Sequence, residues 1–240
     1  MRRREFLATG ATATLITSTN LLSISPTSVF ANSAVSEANK LTPPAEGSIP
    51  VAFAISRGAT MIDFAGPWEV FQDVMLKGPQ GHRSAFNLYT VAEKTEPIEA
   101  SAGMKIIPDY TFDAAPAPKV IVIPAQAGSP ALHAWLRKVV DSTDVTMSVC
   151  TGAFQLGKAG LLAGKEATTH HEFFEQFAKA FPDVKLKRGL RFVENEKIST
   201  AGGLTSGIDL ALRVVERYFG RETAEQTAFY MEYQSRGWIV

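Results

Sequence analysis

The chain has 240 residues, with 24 basic and 24 acidic side chains and a formal net charge of zero. That balance creates no field to gather nucleic acid or an anionic membrane, so neither partner is expected. Hydrophobic residues at 45% and charged residues at 20% fit a folded domain with a full core, and the single cysteine excludes an intrachain disulfide and a cysteine-cluster metal site.

The chain opens with Arg3-Arg4-Glu5-Phe6-Leu7, which fits the twin-arginine export pattern R-R-x-F-L. An uncharged, weakly apolar stretch follows from Ala8 to about Ile24, too interrupted by Thr and Ser for a membrane span. Val29 and Ala31 then place small residues at a cleavage site. The expected organisation is an export signal over 1–31, a polar linker over 32–47 and one domain over 48–240. The protein is expected outside the cytoplasm, periplasmic or otherwise exported, with no stable membrane insertion afterwards.

Within the domain, IPVAFAIS is a continuous apolar run and reads as a buried strand. AGPWEVFQDVML has helical spacing, with a helix start near Ala65 or Gly66 and Pro67 in its first turn. AFNLYTVAE and MKIIPDYTF read as extended, and KVIVIP as the cleanest core strand. PALHAWLRKVV is an amphipathic helix, VTMSV a further core strand ending at Cys150, and GAFQLGKAG a helix again. HEFFEQFAKAF is helical, RFVEN and KISTAGG are paired short strands, and SGIDLALRVVERYF and ETAEQTAFYMEY close the domain as helices. Strands alternating with helices predict an α/β sandwich, its mostly parallel sheet covered on both faces. Ligands in such folds bind beyond the carboxyl ends of the strands, where Cys150 falls.

Cys150 sits between strand and helix, with Gly152 allowing a tight turn. A side chain on such a turn is pushed above the sheet as a nucleophile elbow. The N–H groups of Thr151 and Gly152 are expected to face the sulfur, favouring thiolate and stabilising an oxyanion-like intermediate. In SRGATMIDFAGPWEVF, Asp63 lies in an apolar run after the first strand. It reads either as a helix N-cap or as a partly desolvated acid–base group in the same crevice as Cys150. Glu69, further along the helix, is the alternative carboxylate.

The segments VAFAISRGATMIDFAGPWEVF, VIVIPAQAG, VCTGAFQLGKAGLLAGKEATTHHEFFEQFAKAFPDVKL and STAGGLTSGIDLALRVVERYFG together resemble the ThiJ/PfpI superfamily, most closely its isonitrile hydratase branch. The resemblance runs from about Ile49 to Trp238. It implies a flavodoxin-like three-layer sandwich, a homodimer, a cysteine nucleophile at Cys150, and no metal or organic cofactor. A carboxylate at Asp63 hydrogen-bonds the cysteine in that pattern, and Thr151 supports the site. The reaction implied is hydration of an isonitrile to an N-substituted formamide. Protease-like relatives carry histidine directly after the cysteine; Thr151 stands there here, which argues against peptidase activity. The branch also resembles the N-terminal domain of AraC-type regulators, whose DNA-binding helix-turn-helix is not expected in this chain. A glycine pair common after the strand matching VIVIP is replaced by Pro124, Ala125 and Gln126. An oxyanion donor is then expected from the backbone N–H of Ala125 or Gln126, in a reshaped pocket.

His170 and His171 are adjacent and so point apart, which makes a poor joint metal site; His170 is retained as a pocket-lining candidate. STAGGLTSGID lacks a phosphate-loop pattern and reads as a tight turn before a helix whose dipole Asp209 suits. Phe173, Phe174, Phe177 and Phe181 fall at helical spacing and read as core or dimer-interface residues. Two other functions fit the same thiol: glyoxalase- or deglycase-like chemistry on reactive carbonyls, and a non-catalytic sensor whose cysteine oxidises to a sulfinate.

Overall fold

The computed structural model describes residues 39–78 and 81–240. The export signal expected over 1–31 lies outside the described residues, as does the first part of the expected linker, residues 32–38. The linker's described end is anchored rather than free. Leu41 N–H donates to the Arg217 carbonyl and Arg217 Nε donates to the Asn39 carbonyl, each at 2.9 Å.

Seven strands form the central sheet: β1 (Ile49–Ala54), β2 (Phe86–Ala92), β3 (Tyr110–Thr111), β4 (Val120–Ile123), β5 (Val145–Ser148), β6 (Phe192–Glu194) and β7 (Ile198–Ala201). Their order across the sheet is β6-β7-β5-β4-β1-β2-β3. Only β6 runs antiparallel to its neighbour; every other pairing is parallel. Six helices flank the sheet: α1 (Met61–Gln72), α2 (Pro130–Val139), α3 (Ala153–Lys158), α4 (Phe174–Ala180), α5 (Ser206–Phe219) and α6 (Arg221–Tyr230).

The strands β1 and β4 read as unbroken apolar runs because both faces of the sheet are covered. On β1, Val51 and Phe53 pack toward Val70 and Phe71 of α1, Ile208 and Leu212 of α5, and Ala224 of α6. Ala52 and Ala54 face the opposite layer, with Leu132 and Trp135 of α2, Leu156 of α3 and Phe177 of α4. Phe177 is the expected core residue of its segment, locked between Phe154 and Phe181 at ring-centroid distances of 5.1 and 5.0 Å. Phe174 turns outward and lies under the Arg188 guanidinium.

Sequence and structure part company at α1. The helix begins at Met61, with Thr60 at the N-cap, so Asp63 is a buried residue of the first turn and not the cap. Pro67 lies in the helix interior, where its missing N–H leaves the Asp63 carbonyl without an i+4 donor. Met75 and Leu76, read as the end of that helix, belong instead to a strand, Met75–Gly78, that pairs with Gly81–Ser84 as a short hairpin. From β1 the chain winds outward to β2 and β3, then crosses back to β4 on the other side of β1. That crossing makes the carboxyl ends of β1 and β4 a topological switch point, where such folds place their ligands. Asp63 follows β1, Ala125 follows β4 and Cys150 follows β5.

Candidate active site

Cys150 occupies a backbone conformation that an L-residue adopts only under constraint, with φ at +58° between extended Val149 and the helical turn into α3. Four hydrogen bonds impose it. Val149 N–H donates to Ile123 O at 3.0 Å, Cys150 N–H to Gly202 O at 2.7 Å, Gly152 N–H to Val149 O at 2.9 Å, and Thr169 Oγ1 to Cys150 O at 2.9 Å. Gly152 is needed for packing, because a Cβ there would stand 2.2 Å from the main-chain oxygen of Ile123. A backbone oxygen in a core strand cannot swing aside. Gly152→Ala is therefore expected to cost about 1–3 kcal/mol in chemical denaturation and to displace the thiol.

Asp63 is fully buried. Its Oδ2 accepts the Ala125 N–H at 3.1 Å, and its Oδ1 has no hydrogen-bond partner among the described residues. The Cys150 thiol lies close enough to favour the charged carboxylate, though not in a fully formed hydrogen bond with Oδ1. Burial dominates and lifts the carboxyl to about 7, against the smaller opposing pulls of Ala125 and Cys150. Near neutral pH this carboxyl can hold a proton or release one.

Cys150, 7% exposed, is pushed up to about 11 by burial first and by the Asp63 charge second. The Thr151 N–H and hydroxyl and the Leu204 N–H pull the other way without prevailing. The thiolate expected from the helix start is thus outweighed, and the resting sulfur keeps its proton. Reactivity belongs to the pair, since moving one proton from sulfur to Asp63 creates the nucleophile and an acid together. A direct consequence is that folding shields the thiol. Near pH 8, iodoacetamide is expected to label the native protein about a hundredfold more slowly than the urea-unfolded chain, because its thiolate fraction is that much smaller.

Other predicted site residues fall around this pair in different ways. The Ala125 N–H holds Asp63 and the Gly152 N–H is bonded to Val149, so both donors are occupied. Gln126 Nε2 donates to Ala54 O at 2.9 Å, and the Gln126 carbonyl accepts Gln155 Nε2 at 3.0 Å. Gln155 Oε1 then lies 2.9 Å from His133 Nε2, and since the amide nitrogen of Gln155 is already donating to a carbonyl, the histidine is the donor. This chain ties α2 and α3 to the loop that positions Asp63. His170 caps the turn before α4, its Nδ1 accepting the Glu172 N–H at 3.3 Å, and its ring stacks on that of His171, so the two histidines lie side by side and do not point apart as their adjacency suggested. The same ring packs on Gly203, where a Cβ would come within 2.4 Å of it.

Sequence reasoning missed Leu204, Thr169 and Gln155. Leu204 and Thr169 contribute by backbone position or to backbone atoms, which no side-chain pattern announces; the Gly202-Gly203 pair was the available signal for a close main-chain approach. A cavity of about 210 Å³ bounded by Gln126, Thr151, Phe154, Gln155 and Phe173 adjoins the thiol turn. A larger one of about 1090 Å³ lies between α6 and the C-terminal tail, away from Cys150. Among the described residues no group of three or more His, Cys, Asp or Glu is placed to hold a metal ion, and no helix is long and apolar enough to cross a membrane.

The sequence matches the DJ-1/PfpI family over residues 50–217, from β1 through α5. The chain belongs to the DJ-1/PfpI family. Isonitrile hydratase of Pseudomonas putida is 29% identical over 192 residues, covering 78% of this chain and 79% of that protein. An HTH-type transcriptional regulator of Pseudomonas aeruginosa is 30% identical over 153 residues, covering 61% of this chain but 45% of the regulator. Among solved structures, a ThiJ/PfpI family protein from Pseudomonas syringae superposes with a TM-score of 0.69 at 25% identity, covering 87% of this chain and 84% of that one. The family therefore includes both enzymes and regulators. Its flavodoxin-like α/β fold is the one described above.

Proposed function

We propose that this DJ-1/PfpI protein is a cysteine-dependent hydratase converting isonitriles to N-substituted formamides. The observation that carries the reading is Asp63: a buried carboxyl, lifted to about 7, beside the only thiol and with one oxygen unpartnered. Hydration of an isonitrile requires a nucleophile and a proton donor at one carbon, and this pair supplies both. Cys150 sulfur bonds to the terminal carbon while a proton from Asp63 is delivered to that carbon, giving a thioimidate. Water then adds to the same carbon and passes one proton to the Asp63 carboxylate. The carbon–sulfur bond breaks, the sulfur recovers a proton, the nitrogen holds the other, and the formamide leaves. One isonitrile and one water give one formamide, with no redox change.

Wild-type protein incubated with cyclohexyl isonitrile is expected to yield N-cyclohexylformamide by proton NMR. Rapid acid quench should also leave a Cys150 adduct heavier by the whole isonitrile. Absence of formamide at millimolar isonitrile and stoichiometric protein defeats the reading.

Export and homodimerisation belong to the same proposal. The full chain is expected in the periplasmic fraction when the twin-arginine route operates, and in the cytoplasm after Arg3 and Arg4 are both changed to Lys. Sedimentation of the domain is expected to give twice the monomer mass.

A further inference from the structure

The loop Gly202–Thr205 follows β7, the parallel neighbour of β5, and so leaves the sheet at the same carboxyl edge as Cys150. Its Gly202 carbonyl accepts the Cys150 N–H at 2.7 Å, and the Leu204 N–H faces the sulfur. Leu204 itself adopts a positive φ of 52°, a conformation that needs support. That support comes from one residue at both ends of the loop. The Arg191 carbonyl accepts the Gly202 N–H at 2.9 Å, and the Arg191 guanidinium donates to Thr205 Oγ1 at 3.2 Å. The guanidinium is in turn fixed by Asp209 of α5, which is fully buried and accepts Arg191 Nε at 2.6 Å. Ser235 Oγ donates to the other Asp209 oxygen at 3.1 Å, and Tyr233 OH reaches Thr205 O at 3.4 Å, so the C-terminal tail closes on the same cluster. Gly237 passes so near that a Cβ there would stand 3.0 Å from the Asp209 carboxylate.

A buried carboxylate paired with a half-exposed arginine is a poor source of stability, and its rationale lies elsewhere. We infer that Arg191 and Asp209 are positioning residues, holding the Leu204 N–H against the Cys150 sulfur and thereby setting how readily the thiol ionises. Neither residue touches the reacting atoms. The inference concerns the sulfur alone and holds whatever electrophile the site takes. Charged or titratable groups packed around the thiol are Asp63 from α1, His170 over Gly203, and Arg191, Asp209 and Tyr233 behind the loop.

The test is the pH dependence of Cys150 alkylation by iodoacetamide, read by intact mass in the full domain. Because the Asp63 charge also raises the thiol, each variant is also measured with Asp63→Asn, which leaves the thiol as the only titrating member of the pair. Arg191→Met is expected to slow alkylation at pH 9 about threefold to tenfold and to move its midpoint to higher pH, as follows from losing an N–H directed at the anion. Thr205→Val, which removes only one end of the support, is expected to move it less and in the same direction. Arg188→Met, which removes a half-exposed arginine paired with Glu175, is expected to leave the profile unchanged. If Arg191→Met does not fold, Thr205→Val alone decides. A lowered melting temperature with an unmoved alkylation profile would assign the cluster a purely structural role and overturn the inference. A shifted profile in a protein that makes no formamide would keep it and reject the hydratase.

Discussion

Cys150→Ala is expected to lower isonitrile turnover by at least about a thousandfold, to the level of buffer, while the domain stays folded. The loss is large because Cys150 is the single thiol of the chain, and because Asp63 then has no thiol with which to exchange a proton. The variant series also reads the strain at the elbow. With φ at +58°, position 150 suits glycine better than alanine, so Cys150→Gly is expected to be at least as stable as Cys150→Ala, by up to about 1 kcal/mol in urea unfolding. That order reverses the usual penalty of glycine. Alanine clearly more stable than glycine at this site contradicts the constrained turn.

Asp63→Asn separates chemistry from stability with opposite signs. The amide can still accept the Ala125 N–H but cannot deliver a proton, so turnover is expected to fall at least about a hundredfold. Wild-type turnover itself is expected to follow a bell. It rises through about 7 as the pair loses its first proton and falls through about 11 as it loses the second, both values belonging to the pair as a unit. Stability moves the other way. The folded carboxyl holds its proton up to about 7, against 3.8 in the unfolded chain, so the native state binds more protons across that window and loses stability as pH rises through it. The cost is fully present above about 7 and amounts to roughly 4 kcal/mol as an upper figure. Asp63→Asn is therefore expected to gain on wild type between pH 4 and pH 7 and to keep the gain at pH 8. A constant stability difference across that range means that burial does not act on this carboxyl as described.

Much of this architecture is legible in the sequence because its signals are redundant. IPVAFA and VIVI are apolar for one reason, burial on both faces, and their alternation with helices leaves little choice of topology. Cys150 stands out because a glycine two residues later and a strand just before it prescribe the same turn. Legibility fails where a rule is locally overridden. An Asp three residues into a helix looks like a cap, and Pro67 looks like a first-turn proline, but Thr60 takes the cap and α1 starts at Met61, four residues before Ala65, which puts Asp63 and Phe64 inside the helix on its buried face. The acidity of the thiol was misjudged for a related reason. A helix start was visible in the sequence, whereas the depth of the sulfur and the carboxylate beside it depend on contacts between segments far apart in the chain. The Arg191–Asp209 support was invisible on the same grounds, with only the helix-dipole role of Asp209 apparent.

The elevated thiol carries a biological corollary for a protein with a lone cysteine. Peroxides and disulfides attack the thiolate, and the burial of Cys150 beside Asp63 keeps that anion scarce in the folded protein. The sulfur is more vulnerable while the polypeptide is still unfinished than after it closes. Completion of the tertiary structure thus acts as the safety catch on the protein's reactive atom, and an advantage accrues to any route that lets the domain mature before it meets oxidants.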